Sequence, residues 1–333
     1  MKGCLKEKAG NLPSENRQGN ASHLLAIQAE EKMKTHEQRK VALVLSSGGA
    51  RGLAHIGVIE GLEAHGYAIN SIAGSSIGAL VGAFYACGQL DTYKNWVIGL
   101  DRMDVFKLID FTFSVQGFIR GEKIFKTLEA VIPDCNIEDM NIPFRAIATD
   151  LNNKKEVVVD KGSMYGAIKA SVAIPMVIRP VEHSGRQLID GAVINPVPVD
   201  RVPRTPGDWL VVSNVNAPIP YVPPGDNSNK WKKERDNYLS KLNAFRLKWG
   251  KLLPGTSTTN EKLGYFEVMS RSIDLMQDRM TELMLQHYTP DLRIDLSRDA
   301  GQTFEFYKAA ELIDAGRKAL EKAMANHLSP TLV

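Results

Sequence analysis

Ser76 stands between Gly74 and Gly78 in the stretch "IAGSSIGALVGAFYACG", residues 72–88. An apolar run precedes this G-x-S-x-G frame and a small-residue helical pattern follows it, which is the context of a nucleophile elbow. Glycines at those positions admit a strand-to-helix turn too sharp for a Cβ. The turn projects the serine oxygen beside the amides of a helix N-terminus, where negative charge is favoured. Ser76 is thus a turn former or a nucleophile; Ser75, at a variable position of the frame, points elsewhere.

A nucleophilic serine needs donors for the developing oxyanion, and a base. The loop "SSGGARG", residues 46–52, follows one strand pattern and opens a helix, so its amides point out of the strand ends. Gly48, Gly49 and Ala50 leave those amides uncovered, and Arg51 is placed to brace the loop or to attract an anionic head group. A dinucleotide loop is the rival reading. Gly49 and Gly52 fill two places of G-x-G-x-x-G, but Ser47 takes the first, against the packing that fingerprint needs.

Seven histidines are available as bases, and neither of the two weighed for the role, His183 and His55, sits in a loop of catalytic character. His183 lies in "PVEHSGRQL", an apparent solvent-facing hairpin, and His55 falls early in the first helix. Asp190 is placed differently. It ends an apolar strand in "LIDGAVINPVPV", followed by Gly191, Ala192 and two stiffening prolines. Such an aspartate is either a turn residue or a carboxylate at a strand end, where helix-flanked sheets build their sites.

The elements that must position these residues alternate. "VALVLS" and "INSIAG" read as buried strands, and "LAHIGVIEGLEAHG" and "ALVGAFYACG" as helices after them. Strand, loop, helix, repeated, predicts a mostly parallel sheet with helices on both faces, an α/β three-layer arrangement. Further strands fit "FRAIATDL", "EVVVD", "QLID", "WLVVSNV" and "LRIDL". Further helices fit "GEKIFKTLEAVI", "MYGAIKASVA" and two long segments near the C-terminus.

With 333 residues, 44% of them apolar, there is ample material for a large core. A net charge of +3 is too small to point to nucleic acid. Cys4, Cys87 and Cys135 are too scattered for a disulfide framework or a metal site, which fits a reducing compartment. The first residues lack the apolar stretch of a secretory signal, and no run of about 18 apolar residues occurs. The expected location is the cytoplasm, with no cofactor and no metal.

Taken in order, "SGGARG", "GSSIG" and "DGA" each end a strand, and together they resemble the patatin-like phospholipase family, most of all its compact bacterial cytoplasmic members. The resemblance spans residues 40–215, with "RGEKIF", "AIATDL" and "ASVAIPMVIRPV" as further points of likeness. It implies a serine lipid acyl hydrolase working through a Ser-Asp dyad without a catalytic histidine. Ser76 would be the nucleophile and Asp190 the base, with Gly48, Gly49, Ala50 and Arg51 forming the oxyanion hole. Gly52, Gly74, Gly78, Gly191 and Ala192 complete the motifs. Ser47 departs from the glycine with which the family usually opens its loop. A carboxylate base near neutral pH has to be partly desolvated to raise its pKa. Two other functions stand beside this one: a regulatory or scaffold protein that keeps the fold without useful turnover, and a Ser-His-Asp esterase.

Residues 1–39 read as a polar tail, 40–215 as the catalytic core, 216–263 as a basic insert, and 264–333 as helices completing the same domain. Within the insert, residues 229–251 carry Trp231, Tyr238, Leu242, Phe245 and Trp249 on one helical stripe, with lysines and arginines around it. Two readings remain open: a helix packed on the core, or a lid or interfacial helix touching anionic phospholipid. Met269, Met276, Met280 and Met284 form another stripe, read first as core packing and second as a flexible lining for an acyl chain.

Overall fold

The computed structural model describes residues 39–108, 121–175, 177–183, 185–221 and 265–328. The aromatic stripe of residues 229–251 lies outside them.

Two strand–helix units open the described residues: β1 (Lys40–Leu45) leads through a tight turn (Gly49–Leu53) into α1 (Ala54–Ala64), and β2 (Ala68–Ser75) leads into α2 (Ile77–Ala86). Every residue of β1 after Lys40 is buried, because both of its faces are covered. Val41, Leu43 and Leu45 pack into the larger core with α1 and α2. Ala42 and Val44 point the other way, into a second core with Val197, Val199, Val202 and Val212. A strand buried on both sides reads as a continuous apolar run, and "VALVL" is one.

Beyond α2 come two helices that the sequence pattern left unassigned, α3 (Leu90–Ile98) and α4 (Arg102–Leu108), and then α5 (Glu122–Val131). Among the described residues the remaining strands are β3 (Phe144–Asp150), β4 (Lys155–Val159), β5 (Val181–His183), β6 (Arg186–Asp190), β7 (Trp209–Ala217) and β8 (Leu292–Ser297). Helix α6 (Met164–Ser171) follows β4, α7 (Tyr265–His287) precedes β8, and α8 (Ala309–Leu328) follows it. Hydrogen-bonded neighbours run β5-β6-β3-β2-β1-β7-β8, with β4 also on β3. From β3 through β2, β1 and β7 to β8 every pairing is parallel, while β4 and β6 are antiparallel to β3.

The register on β3 explains what this topology accomplishes. Ala148, Thr149 and Asp150 pair with both β4 and β6, so those two strands occupy opposite edges. Ala146 and Ile147 pair with both β4 and β2, which puts β2 and β6 on the same edge. Strand β2 runs with β3 and β6 runs against it, so the two approach each other end to end. Ser75 pairs with Ile147 and Asp190 with Ala148, the next residue. The ends of two strands distant in sequence therefore meet.

The methionine stripe corrects an expectation. Met276 is 57% exposed and Met269 36%, while Met280 and Met284 are half-buried. The core side of α7 is carried by Leu285, packed with Tyr288 just beyond the helix against the second core. A helical stripe has the same period whether it faces a core or the outside, so the pattern alone does not choose.

Candidate active site

Ser76 sits at the junction of β2 and α2 with φ 55° and ψ −125°, a positive φ that a side chain adopts only under constraint. Such a conformation costs on the order of 1–3 kcal/mol and persists where the surroundings enforce it. Here the enforcement is the close approach of α2 to the strand ends. A Cβ on Gly74 would lie 2.4 Å from the carbonyl carbon of Gly78, and one on Gly78 would lie 2.3 Å from the carbonyl oxygen of Leu45. Only glycine fits at both positions.

The Ser76 hydroxyl donates to Asp190 Oδ2 over 2.6 Å, and both side chains are buried. Asp190 is held from several directions. Its other carboxylate oxygen accepts the Ala192 amide at 2.8 Å, its amide donates to the Ala173 carbonyl at 3.0 Å, and its carbonyl accepts the Thr149 hydroxyl at 3.0 Å. One carboxylate oxygen is thus spent on orientation, leaving Oδ2 for the serine. Burial pushes the Asp190 carboxyl up to about 6, the hydrogen bonds from Ser76 and Ala192 holding it back from rising further.

Ser171, at the end of α6, supports the elbow from behind. Its hydroxyl accepts the Ser76 amide at 2.9 Å and donates to the Ile147 carbonyl at 2.6 Å. The strained residue is thereby tied to β3, the strand on which Asp190 is registered.

The glycine loop is anchored on each side of its centre. The Ser47 amide donates to the Pro196 carbonyl at 2.9 Å, the Ala50 amide to the Thr303 carbonyl at 2.9 Å, and the Asn216 side-chain amide to the Ser47 carbonyl at 2.6 Å. Among the described residues, nothing accepts from the amides of Gly48 and Gly49. Ala50, expected among the oxyanion donors, has its amide engaged by Thr303. Arg51 turns its Nη1 to the carbonyls of Arg298 at 2.8 Å and Gly301 at 3.4 Å, the bracing arrangement rather than an oxyanion contact. Gly52 lies within the turn, and Gly191 with Ala192 in the turn after Asp190.

Neither weighed histidine reaches the serine hydroxyl by a hydrogen bond. His55 is fully buried, with Nε2 2.9 Å from the Ser46 carbonyl and Nδ1 2.8 Å from the Ser213 hydroxyl. A carbonyl only accepts, so Nε2 carries the proton and Nδ1 accepts from Ser213. Burial drives the His55 pKa down to about 4, which keeps the ring neutral. His183 is exposed on β5, paired with Arg186 at the turn end of the hairpin.

Two cavities meet at Ser76. The first, about 120 Å³, is lined almost wholly by apolar side chains, among them Leu80, Tyr93, Trp96, Val105, Phe125 and Leu128. The second, about 320 Å³, is mixed, with Ser47, Arg51, Asp190, Asn216, Asp274 and Gln277 among apolar residues in its wall. Gly49, Ser76, Ile174, Val177, Thr303 and Phe304 line both. The unassigned helices α3 and α4 supply much of the apolar wall, and α7 supplies Ile273, Asp274 and Gln277 to the mixed one. Among the described residues, no three His, Cys, Asp or Glu side chains cluster to hold a metal ion.

Sequence reasoning missed Ser171, Thr149, Asn216 and the part played by His55. Ser171 lies inside "ASVAIPMVIRPV", a stretch already singled out, but a serine ending a helix carries no mark of a partner far away in the chain.

A family model described as patatin-like phospholipase matches residues 43–202. An uncharacterized NTE family protein of Mycobacterium tuberculosis is 33% identical over 329 residues, covering 86% of this chain and 91% of that protein. Mouse patatin-like phospholipase domain-containing protein 7 is 28% identical over 284 residues, 83% of this chain but 20% of the mouse protein. The crystal structure of VipD from Legionella pneumophila aligns with a TM-score of 0.44 at 13% identity, covering 87% of this chain and 67% of that one. The extent of the mycobacterial match, together with the family model over the segment that carries both strand-end motifs, makes this chain a member of the patatin-like phospholipase family.

Proposed function

We propose that this protein is a serine lipid acyl hydrolase that cleaves carboxylic esters of phospholipids or lysophospholipids through an acyl-enzyme on Ser76 and Asp190. One observation carries the proposal: the 2.6 Å hydrogen bond from the Ser76 hydroxyl to a buried Asp190, where an apolar cavity and a mixed one meet. A carboxylate with a pKa near 6 is ionised at neutral pH yet basic enough to accept a proton as bonding begins.

In this mechanism Asp190 takes the hydroxyl proton while the Ser76 oxygen attacks the ester carbonyl carbon. The carbonyl electron pair moves onto oxygen, where the amides of Gly48 and Gly49 stabilise it. Collapse of the tetrahedral intermediate expels the alcohol, which leaves with the proton from Asp190. Water then gives a proton to Asp190, attacks the acyl carbon, and releases the acid as Ser76 regains its proton. The apolar cavity takes the acyl chain. Cytoplasmic placement, and contact of residues 229–251 with an anionic membrane surface, belong to the same proposal. Among the described residues, no helix is long and apolar enough to cross a membrane.

The test is covalent labelling. A fluorophosphonate probe should label the wild-type protein and leave Ser76→Ala unlabelled. Labelling that persists in the variant removes Ser76 from the mechanism. A wild-type protein that neither labels nor hydrolyses p-nitrophenyl esters would favour a regulatory or scaffold role instead.

A further inference from the structure

Two side chains touch the glycine loop and take no part in the hydrolytic step: His55, fully buried on α1, and Asn216, near the end of β7. Each donates to a carbonyl oxygen of the loop, His55 to Ser46 and Asn216 to Ser47. A peptide unit is planar and trans, so its carbonyl and the N–H that follows point in opposite directions. Whatever grips the Ser47 carbonyl therefore aims the Gly48 amide. Whatever grips the Ser46 carbonyl aims the Ser47 amide.

The grip on Ser46, itself fully buried, uses every hydrogen-bonding group it has. Its amide donates to the Ser213 carbonyl at 3.0 Å, and its carbonyl accepts from His55 Nε2 at 2.9 Å. Its hydroxyl accepts the Val215 amide at 3.0 Å and donates to the Ser47 carbonyl at 2.9 Å. His55 is fixed in turn by Nδ1, which accepts from the Ser213 hydroxyl at 2.8 Å. The peptide between Ser46 and Ser47 is held at both ends, since the Ser47 amide donates to the Pro196 carbonyl at 2.9 Å.

The next peptide is held at one end only. Its carbonyl, on Ser47, takes two donors: the Ser46 hydroxyl and the Asn216 side-chain nitrogen at 2.6 Å. Its other end is the Gly48 amide, which has no acceptor among the described residues. Asn216 is itself anchored, its own amide donating to Asn214 Oδ1 at 3.1 Å and its carbonyl accepting from Arg298 at 3.3 Å. A glycine has no side chain to restrict its dihedrals, so the direction of this amide is set by its neighbours. Oxyanion donors are effective when they are aimed before the charge develops.

Resting on the hydrolase reading above, we propose that Asn216 and His55 are positioning residues that aim the Gly48 amide at the oxyanion. Asn216 acts through the Ser47 carbonyl, and His55 acts one peptide further back, through Ser46. Neither touches the substrate in this role.

The test compares p-nitrophenyl butyrate with its thionoester, which carries sulfur in place of the carbonyl oxygen. Sulfur accepts hydrogen bonds weakly, so aimed amides favour the oxygen ester. The readout is the ratio of kcat/KM between the two. Wild type should prefer the oxygen ester about 100-fold, the size of one oxyanion donor. Asn216→Leu should lower both that ratio and kcat on the oxygen ester about tenfold, with KM little changed. Asn216→Asp, which keeps the shape and puts an acceptor where the donor stood, should lower the ratio as well, and circular dichroism shows whether each variant is folded. His55→Leu should act in the same direction, and His55→Gln, whose amide still donates, should recover much of the loss. A ratio near one in the wild type overturns the proposal, as do folded variants that keep the wild-type ratio, whether or not both esters slow. Absence of Ser76-dependent turnover of the oxygen ester is a different result: it removes the hydrolase reading itself, and this proposal with it.

Discussion

The backbone amide of Ser76 donates to the hydroxyl of Ser171 over 2.9 Å, and that hydroxyl donates in turn to the Ile147 carbonyl over 2.6 Å. Ser171 thus converts the strained elbow into part of the sheet. Ser171→Ala leaves a buried donor and a buried acceptor unpaired, at a cost of about 1–3 kcal/mol. A lower unfolding midpoint is expected, with kcat falling several-fold and KM little changed, because the nucleophile loses its fixed position rather than its substrate. Ser171→Thr, which keeps the hydroxyl, should recover most of the kcat loss. Steady-state kinetics and urea unfolding of the two variants check this.

Asp190 titrates near 6, so activity should follow its ionisation. The acid limb of kcat/KM is expected to be half-maximal near pH 6 and to fall about tenfold per pH unit below it. Asp190→Asn should abolish turnover, whereas His183→Ala should leave it intact. The opposite pattern would replace the dyad with a histidine-based mechanism.

The same carboxylate lowers stability in the pH range where it works. Its folded pKa is raised above the ordinary value of 3.8, so the stability it contributes is full below that value and is lost as pH rises through about 6. Asp190→Asn should accordingly be more stable than wild type at pH 7.5. That advantage should shrink by about 1.4 kcal/mol on going to pH 5, measured by urea unfolding of both proteins.

His55 acts in the other direction. Its folded pKa is depressed to about 4, so its contribution is present above 6.5 and is lost as pH falls toward 4, where the unfolded chain takes up a proton that the buried ring refuses. Between pH 7.5 and pH 5 this removes about 2 kcal/mol from the wild type. His55→Gln should lack that slope, and parallel unfolding curves at the two pH values reveal it. In the wild type the two buried groups largely offset each other.

The apolar cavity sets a limit on acyl selectivity. At about 120 Å³ it is close to a cavity of 150 Å³ that admits benzene, so it accommodates about six carbons. Each added methylene contributes about 0.8 kcal/mol, or about fourfold in kcat/KM, while it finds apolar wall. A p-nitrophenyl ester series should climb to about hexanoate and then level off. A series that keeps climbing to long chains would show that the cavity opens further.

Much of the fold and the centre of the site were legible in the sequence for a shared reason. A strand end declares itself locally: an apolar run stops at a serine between glycines, or at an aspartate before Gly191. That Ser76 and Asp190 come together was not legible in the same way, because it depends on β2 and β6 meeting end to end on one edge of β3. The supporting contacts were not legible, because Ser171, Asn216 and Thr303 act through partners far away in the chain. Helices α3 and α4 were missed because "LDTYKNWVIGLDRMDVFKL" mixes charges among its apolar positions, having one face on a cavity and the other outside. The short helix Arg102–Leu108 buries only Val105, while Met103 and Phe106 remain exposed.

The head-on arrangement of β2 and β6 makes β3 a ruler between the two reacting side chains. Alternation along a strand means that a slip of one residue in β6 would turn Asp190 to the opposite face of the sheet while leaving the ladder otherwise able to form. A slip of two would restore the face but displace the carboxylate by about 7 Å, out of reach of any hydroxyl at the elbow. Single-residue insertions in the short hairpin before Asp190 are therefore the mutations that would silence this protein while sparing its shape.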